Sequence, residues 1–425
     1  MDAGAYLDSL EPIGWKLGLD RMHRLTTALG MPQHRFASIH VVGTNGKSSV
    51  TRTIAALLEA HGVSAGASLS PHASRWSERT LIHGEEIGAE EFSAAVERVA
   101  QAAEVVNRAL EEGESVTQFE AATAASFVAL AAARVRVGVI EAGLGGRLDA
   151  TNTLPSRVAV LTSVGLDHTE WLGGTEAEIA AEKLAVLRDH STLVLGRVDP
   201  EVEALAEETA RARGAKLIRA PEPDPELRLR QPGAFQRRNF ALATAAAEAF
   251  LGELDRERVA TVAATLTIPG RLERIADEPA TFLDAAHNPD GAVALAEALP
   301  EVTGGRPVIA CLAILADKDA EGMIRALAPA LDRAVCTELP ADGPQTGDID
   351  PFEAHRRGSC PAVDLARLCE AAGLAAEAEP RFDEALRRAR ELTAAPSEEG
   401  PLNRSGAVLL VTGSHYLLAR ARISA

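Results

Sequence analysis

The chain has 425 residues, 46% hydrophobic and 24% charged. This is ordinary globular composition that excludes a mainly disordered or fibrous protein, and at ~150 residues per domain the length suggests two or three domains, of which two are expected. Forty-three Lys and Arg against 61 Asp and Glu give a formal net charge of −18, a field that repels phosphates and argues against nonspecific nucleic-acid binding, so any anionic ligand has to meet a local exception.

The amino terminus carries Asp2, Asp8 and Glu11 where a secretory signal would be basic and then apolar. The longest nearly apolar stretch, residues 121–133, is shorter than the ~20 residues of a spanning helix and contains Thr123 and Ser126. Both features point to a cytoplasmic protein without a membrane partner. Cys311, Cys336, Cys360 and Cys369 form no C-x-x-C pair and read as reduced thiols, neither a zinc site nor a disulfide framework.

In chain order, β-branched apolar runs alternate with helical patterns. Residues 39–42 predict a strand, followed by a glycine loop and a helical run from Val50 to about Ala60. Further strands are expected at 135–140, 158–164 and 192–195. The proline-rich tract 220–225 predicts a surface loop, and residues 235–251 read as helix again. The Pro269-Gly270 turn marks a boundary between a first domain, 1–268, and a second, 269–425. Strands are expected there at 281–283, 307–315, 334–339 and 407–411, with a mobile loop at 340–351. Strands alternating with helices mean an α/β fold, a mostly parallel sheet covered on both faces.

The loop after the first strand reads Gly43-Thr44-Asn45-Gly46-Lys47-Ser48-Ser49. Strand, glycine loop and helix amino terminus bring backbone N–H groups and a positive dipole end to one point, which suits a phosphate. Lys47 would reach the terminal phosphates, and Ser48 or Ser49 would offer a hydroxyl to Mg²⁺ or to phosphate oxygens. The full G-x-x-x-x-G-K-[ST] pattern is broken, because Val41 occupies the first glycine position.

Glu141 and His168 fall at the carboxyl ends of strands, where ligand groups collect in parallel sheets. A carboxylate with a hydroxyl suits Mg²⁺; histidine is an unusual ligand for so hard a cation, and by itself His168 reads more readily as a structural residue. Thr117-Gln-Phe-Glu120 and Thr175-Glu-Ala-Glu178 match the helix capping box, and Asn288 before Pro289 matches an N-cap and first helical residue. Capping leaves Asp284 and His287 unexplained.

Taken in order, these motifs resemble folylpolyglutamate synthase/dihydrofolate synthase, the folate branch of the Mur ligase superfamily. The resemblance runs from about Leu17 to Arg422 through GTNGKSS (43–49), SPH (70–72), TQFE (117–120), EAGLGGRLDATN (141–152), GLDH (165–168), EK (182–183), PGRLE (269–273) and DAAHNP (284–289). It implies a P-loop-type domain with helices on both faces of the sheet, followed by a smaller Rossmann-like α/β domain. It further implies that Gly43, Thr44, Asn45, Gly46, Lys47, Ser48 and Ser49 bind ATP phosphates, with Asn239, Arg271, Asp284 and His287 at nucleotide-contacting positions. Ser70, Glu141 and His168 would hold Mg²⁺, and Lys183 would react with CO₂ to a carbamate that orients a second Mg²⁺. Phe119 and Asp149 lie where the family handles its pterin-bearing substrate.

The implied reaction joins L-glutamate to dihydropteroate or a reduced folate through an acyl phosphate made from ATP, by a monomer whose two domains close over the nucleotide. Lys47, Lys183 and His168 would carry the chemistry. Two other readings compete: a peptidoglycan-type Mur ligase, whose sugar-nucleotide domain would need more than the 42 residues before Gly43, and a nucleotide-binding regulatory module without ligase chemistry. Glu141, His168 and Lys183 together speak against the second. The chain departs from the family pattern at Ser48, at Leu184-Ala185-Val186 after Lys183, and at Ala285.

Overall fold

The computed structural model describes residues 1–10, 18–339, 358–394 and 406–423. The loop expected at 340–351 and the start of the resemblance at Leu17 lie outside the described residues. The chain divides into two compact units, Met1–Leu229 with Arg237–Leu266, and Arg230–Gln236 with Thr267–Ala425. The seven residues 230–236 therefore cluster with the second unit although the last three of them open the helix Ala234–Leu251, whose remainder belongs to the first.

The first unit is built on strands β1 (Ala37–Val42), β2 (Ala65–Ser68), β3 (Thr80–Ile82), β4 (Glu85–Glu86), β5 (Val137–Glu141), β6 (Val158–Leu161), β7 (Thr192–Leu195) and β8 (Lys216–Arg219). They lie in the order β4-β3-β2-β5-β1-β6-β7-β8, parallel except for the β2-β3-β4 edge. Alternation along the strands loads both faces. Ile39, Val41, Val139 and Val160 pack with Val50, Ile54 and Leu58 of the helix Lys47–Ala60 and with Leu242 and Ala246 of the helix Ala234–Leu251. Val42, Leu161, Leu193 and Leu195 pack with Ala180 and Leu184 of the helix Glu176–Leu184 and with Val202 and Ala206 of the helix Pro200–Ala212.

The apolar stretch near residue 121 is the helix Gln118–Ala132, buried at twelve of its fifteen positions, so its lack of a polar face reflects a core helix. Among the described residues no helix is long and apolar enough to cross a membrane.

One expected strand ends early and one strand appears where none was expected, each for a physical reason. The run expected at 158–164 leaves the ladder after Leu161, because Thr162 and Ser163 turn to hold the glycine loop: Ser163 O accepts from Thr44 N–H at 2.9 Å and Thr162 Oγ donates to Asn45 O at 2.6 Å. Strand β2, Ala-Gly-Ala-Ser, carries no β-branched or aromatic residue; pairing with β5 makes it a strand.

The second unit holds β9 (Glu273–Asp277), β10 (Ala280–Leu283), β11 (Val308–Leu312), β12 (Arg333–Cys336), β13 (Ala375–Ala378) and β14 (Val408–Thr412), ordered β13-β12-β11-β14-β10-β9. All neighbours are parallel except β9 with β10. One face packs Val308, Ala310, Leu312 and Leu410 against Leu295, Leu299, Met323, Ile324 and Leu365. The helix Phe382–Ala394 packs on β11, β12 and β14. Cys336 and Cys369 are free thiols whose sulfurs lie 3.8 Å apart in this core, and burial pushes the Cys311 thiol up to about 12.

Candidate active site

Strand β1 delivers the glycine loop to the amino end of the helix Lys47–Ala60. Gly46 caps that helix with φ +85°, a left-handed conformation that costs a residue with a Cβ. A Cβ there would also stand 2.6 Å from Asn239 Oδ1, so the Asn239 amide lies directly against the loop. Val50 N–H closes the first helical turn on Gly46 O at 2.9 Å, which leaves the N–H groups of Lys47, Ser48 and Ser49 no helical carbonyl to bond. Three such donors with the dipole end favour an anion.

Two lysines meet at one oxygen. Lys47 Nζ donates to Gly43 O at 3.0 Å and to Thr44 O at 3.1 Å, and Lys183 Nζ donates to the same Gly43 O at 3.1 Å. Lys183 is only 3% exposed. Burial first, and then the Lys47 charge, pull its ammonium from 10.5 down to about 7, while Asp167 and Asp149 pull the other way. A good fraction of Lys183 is thus a neutral amine near neutral pH, 140 residues from the carbonyl it touches.

Glu141 ends β5 beside this pair. Its Oε1 accepts from Ser48 Oγ at 2.8 Å and its Oε2 from the Ser70 backbone N–H at 3.2 Å. Ser48 therefore stands at the carboxylate, whereas Ser49 turns inward at 1% exposure. Ser70 reaches Glu141 through its backbone. His168 caps the short helix Thr169–Leu172 with φ +52°, its Nε2 3.8 Å from Asp167 Oδ1. The charges of Asp167 and Lys47 both act on Lys183, in opposite directions.

The motif loop between Glu141 and Asn152 closes this site on another side. The Phe119 ring lies against Gly143, its Cζ 2.5 Å from where a Cβ would stand. Gly146 presses onto the backbone of Glu182 and Lys183, where a Cβ would meet Glu182 O at 2.7 Å and Lys183 O at 2.9 Å. Asp149 shapes this loop: Oδ2 accepts from Leu144 N–H at 2.8 Å, Oδ1 from Thr151 N–H at 2.9 Å and also from the Thr151 hydroxyl. Burial raises its carboxyl against the pull of these bonds.

Thr117 and Thr175 each cap their helix with a reciprocal Glu120 or Glu178, and Asn288 Oδ1 accepts from Gly291 N–H at 2.8 Å ahead of Pro289. Asp284 and His287 belong to the second unit, as does Arg271. Asp284 accepts from Leu272 N–H and Ala286 N–H, each at 2.9 Å; burial raises its carboxyl and Arg271 lowers it. The His287 ring sits 5.0 Å from that of His415. Sequence reasoning passed over Asp167, although it lies inside the GLDH motif, and over Thr162 and Ser163, whose role appears only once the strand is seen to bend toward the loop.

Two family models match: the Mur ligase middle domain over residues 41–222, and the Mur ligase glutamate ligase domain over 270–415. A dihydrofolate synthase/folylpolyglutamate synthase of Mycobacterium tuberculosis is 36% identical over 359 residues, 75% of this chain and 74% of that protein. The solved structure of Mycobacterium tuberculosis folylpolyglutamate synthase complexed with ADP superposes with a TM-score of 0.88 at 31% identity, covering 99% of this chain and 96% of that one. A bifunctional folylpolyglutamate synthase/dihydrofolate synthase of Yersinia pestis, complexed with AMPPNP and Mn ion, superposes with a TM-score of 0.80 at 27% identity over 99% and 96% of the two chains. With the glycine loop, the buried lysine and the serine-bound carboxylate already in one place, this similarity over nearly the whole length means that the chain belongs to the dihydrofolate synthase/folylpolyglutamate synthase family and is an acid–amino acid ligase.

Proposed function

We propose that Lys47, Asn239 and the backbone N–H groups of Gly43–Ser49 bind the ATP phosphates, that Lys183 works as a carbamate, and that the surface framed by Phe119 and the loop of Asp149 receives the acid substrate. The reaction is that of the family: ATP-dependent addition of L-glutamate to dihydropteroate or a reduced folate. The observation that carries the site reading is the convergence of Lys47 and Lys183 on Gly43 O beside the Ser48–Glu141 pair.

Joining a carboxylate to an amine in water is uphill, so the acid is activated first. A carboxylate oxygen attacks the γ-phosphorus, ADP leaves, and an acyl phosphate remains. The glutamate amine then attacks the acyl carbon, and phosphate leaves. Lys47 and the helix N–H groups spread the charge that develops in the first transfer.

A hard divalent cation fits the oxygen donors present. Mg²⁺ is such an ion: it binds through one or two carboxylates, keeps several waters and shares phosphate oxygens. Glu141 and Ser48 would hold it, with Ser70 and His168 completing one site and the Lys183 carbamate a second. When bound, it supplies positive charge against phosphoryl oxygens. By their match to the family motifs we read Arg271, Asp284 and His287 as further nucleotide-binding residues, and we take the enzyme to act as a monomer.

The carbamate has a physical rationale in this chain. A neutral Lys183 amine attacks CO₂, an N–C bond forms, and one proton leaves. The product is an anion beside Lys47, which turns a repulsive pair into an attractive one. Lys47→Ala tests the phosphate site: glutamate-dependent ADP release should fall at least ~100-fold with an unchanged circular dichroism spectrum. Near-normal turnover would remove Lys47 from the reaction.

A further inference from the structure

His40 sits on β1, three residues before the phosphate loop, and is 0% exposed. Strand alternation puts it on the same face as Val42, away from Ile39 and Val41. Its Nε2 lies 2.8 Å from Thr151 Oγ, and among the described residues its Nδ1 has no hydrogen-bond partner. Burying a polar ring with one nitrogen unpaired is costly, so the bond the other nitrogen makes needs a reason.

The direction of that bond follows from counting donors. The Asp149 carboxylate already accepts from Leu144 N–H and Thr151 N–H and also takes the Thr151 hydroxyl. With its own proton given to Asp149, Thr151 Oγ has only lone pairs left for the imidazole. His40 must therefore donate through Nε2–H, and its bare Nδ1 is the one left unpaired. Burial pulls the ring down to about 3, with Arg188 adding to the effect, so His40 stays neutral, and the bond to Thr151 sets its tautomer.

What the relay fixes is the loop next to the reaction. At one end Gly143 packs on Phe119; in the middle Gly146 presses on the Lys183 backbone and Arg147 N–H donates to Glu182 O at 2.9 Å. At the far end Arg188 donates to Leu154 O at 2.9 Å and to Asn152 Oδ1 at 2.8 Å. Between these anchors the loop is held by Asp149, and the rotor that closes on Asp149 is set by His40.

We propose that His40 is a positioning residue of the ligase: by donating to Thr151 it locks the Asp149 loop in the shape that presents the Phe119 face to the acid substrate. The inference rests on the reading of that surface as the acid-substrate site.

The test uses the full-length enzyme with dihydropteroate, ATP and L-glutamate. His40→Leu keeps the volume roughly and removes the donor; KM for dihydropteroate should rise about 5- to 10-fold while KM for ATP stays within about twofold. His40→Gln, whose amide places a donor near the Nε2 position, should restore most of the loss. Thr151→Val should reproduce the KM effect, Thr151→Ser should not, and the His40→Leu/Thr151→Val double variant should be no worse than either single one. A merely structural histidine would instead lower the unfolding temperature, leave both KM values alone and gain nothing from Gln. Should His40→Leu fail to fold, the two Thr151 variants decide the matter. Nitrogen-15 NMR of the wild type reads the tautomer independently, and a proton on Nδ1 overturns the relay. Phe119→Ala separates the two levels: an unchanged dihydropteroate KM there refutes the substrate-site reading, whereas a raised KM with a silent His40→Leu refutes only the relay.

Discussion

Replacing Lys183 with Met tests the electrostatic core of the site. The side chain is 3% exposed, and Met matches it as far as Cε and lacks only the nitrogen, so packing changes little while the titrating group disappears. The wild-type folded chain gives up the Lys183 proton near 7, whereas the unfolded chain holds it to 10.5. Between those values the unfolded state binds the extra proton, so folding stability rises with pH. At 1.36 kcal/mol per pH decade the full window corresponds to roughly 5 kcal/mol. The burial penalty is fully present below about 7 and fades as the pH climbs toward 10.5. The stability difference, wild type minus Lys183→Met, should therefore be flat below about pH 7 and climb by about 1.4 kcal/mol per pH unit above it. Trp15, Trp76 and Trp171 all precede residue 229, so tryptophan fluorescence in urea reports the first unit at each pH. The buffers should be CO₂-depleted; adding CO₂ should then stabilise the wild type alone, by mass action on the folded amine. A flat difference between about pH 7 and 9.5, or one that falls, would refute the depressed lysine and with it the reason for carbamate formation.

Glu141→Gln removes the negative charge that Ser48 and Ser70 face. The Mg²⁺ concentration for half-maximal ADP release should rise about tenfold or more, read from a metal titration at saturating ATP; an unchanged midpoint would exclude Glu141 as a metal ligand. Gly146→Ala places a Cβ 2.7 Å from Glu182 O and 2.9 Å from Lys183 O. Those are backbone atoms, so the loop must move, at a cost of about 1–3 kcal/mol in urea unfolding. Activity should fall more steeply than stability, because the displacement is at Lys183. A Gly146→Ala enzyme of wild-type turnover would show that the loop is not tied to the site.

Legible in the letters alone were the order of strand, glycine loop and helix at residues 39–60, the two capping boxes, the Asn288–Pro289 helix start, and the residue types proposed to carry the chemistry. These features are local: a cap, a turn glycine or a β-branched run acts within a few residues and leaves its mark in the letters. The sequence did not determine the short strands such as Ala-Gly-Ala-Ser at 65–68, whose own preference is weak and whose state is set by the neighbour that pairs with them. Nor did it choose between Ser48 and Ser49, since only the rotation of the helix on the sheet turns one toward Glu141 and the other into the core. The charge of Lys183 and the partner of His40 lay wholly beyond its reach. Each depends on groups more than a hundred residues away, Gly43 in the one case and Thr151 in the other. A pKa or a tautomer is a property of the surroundings, and packing alone assembles those surroundings.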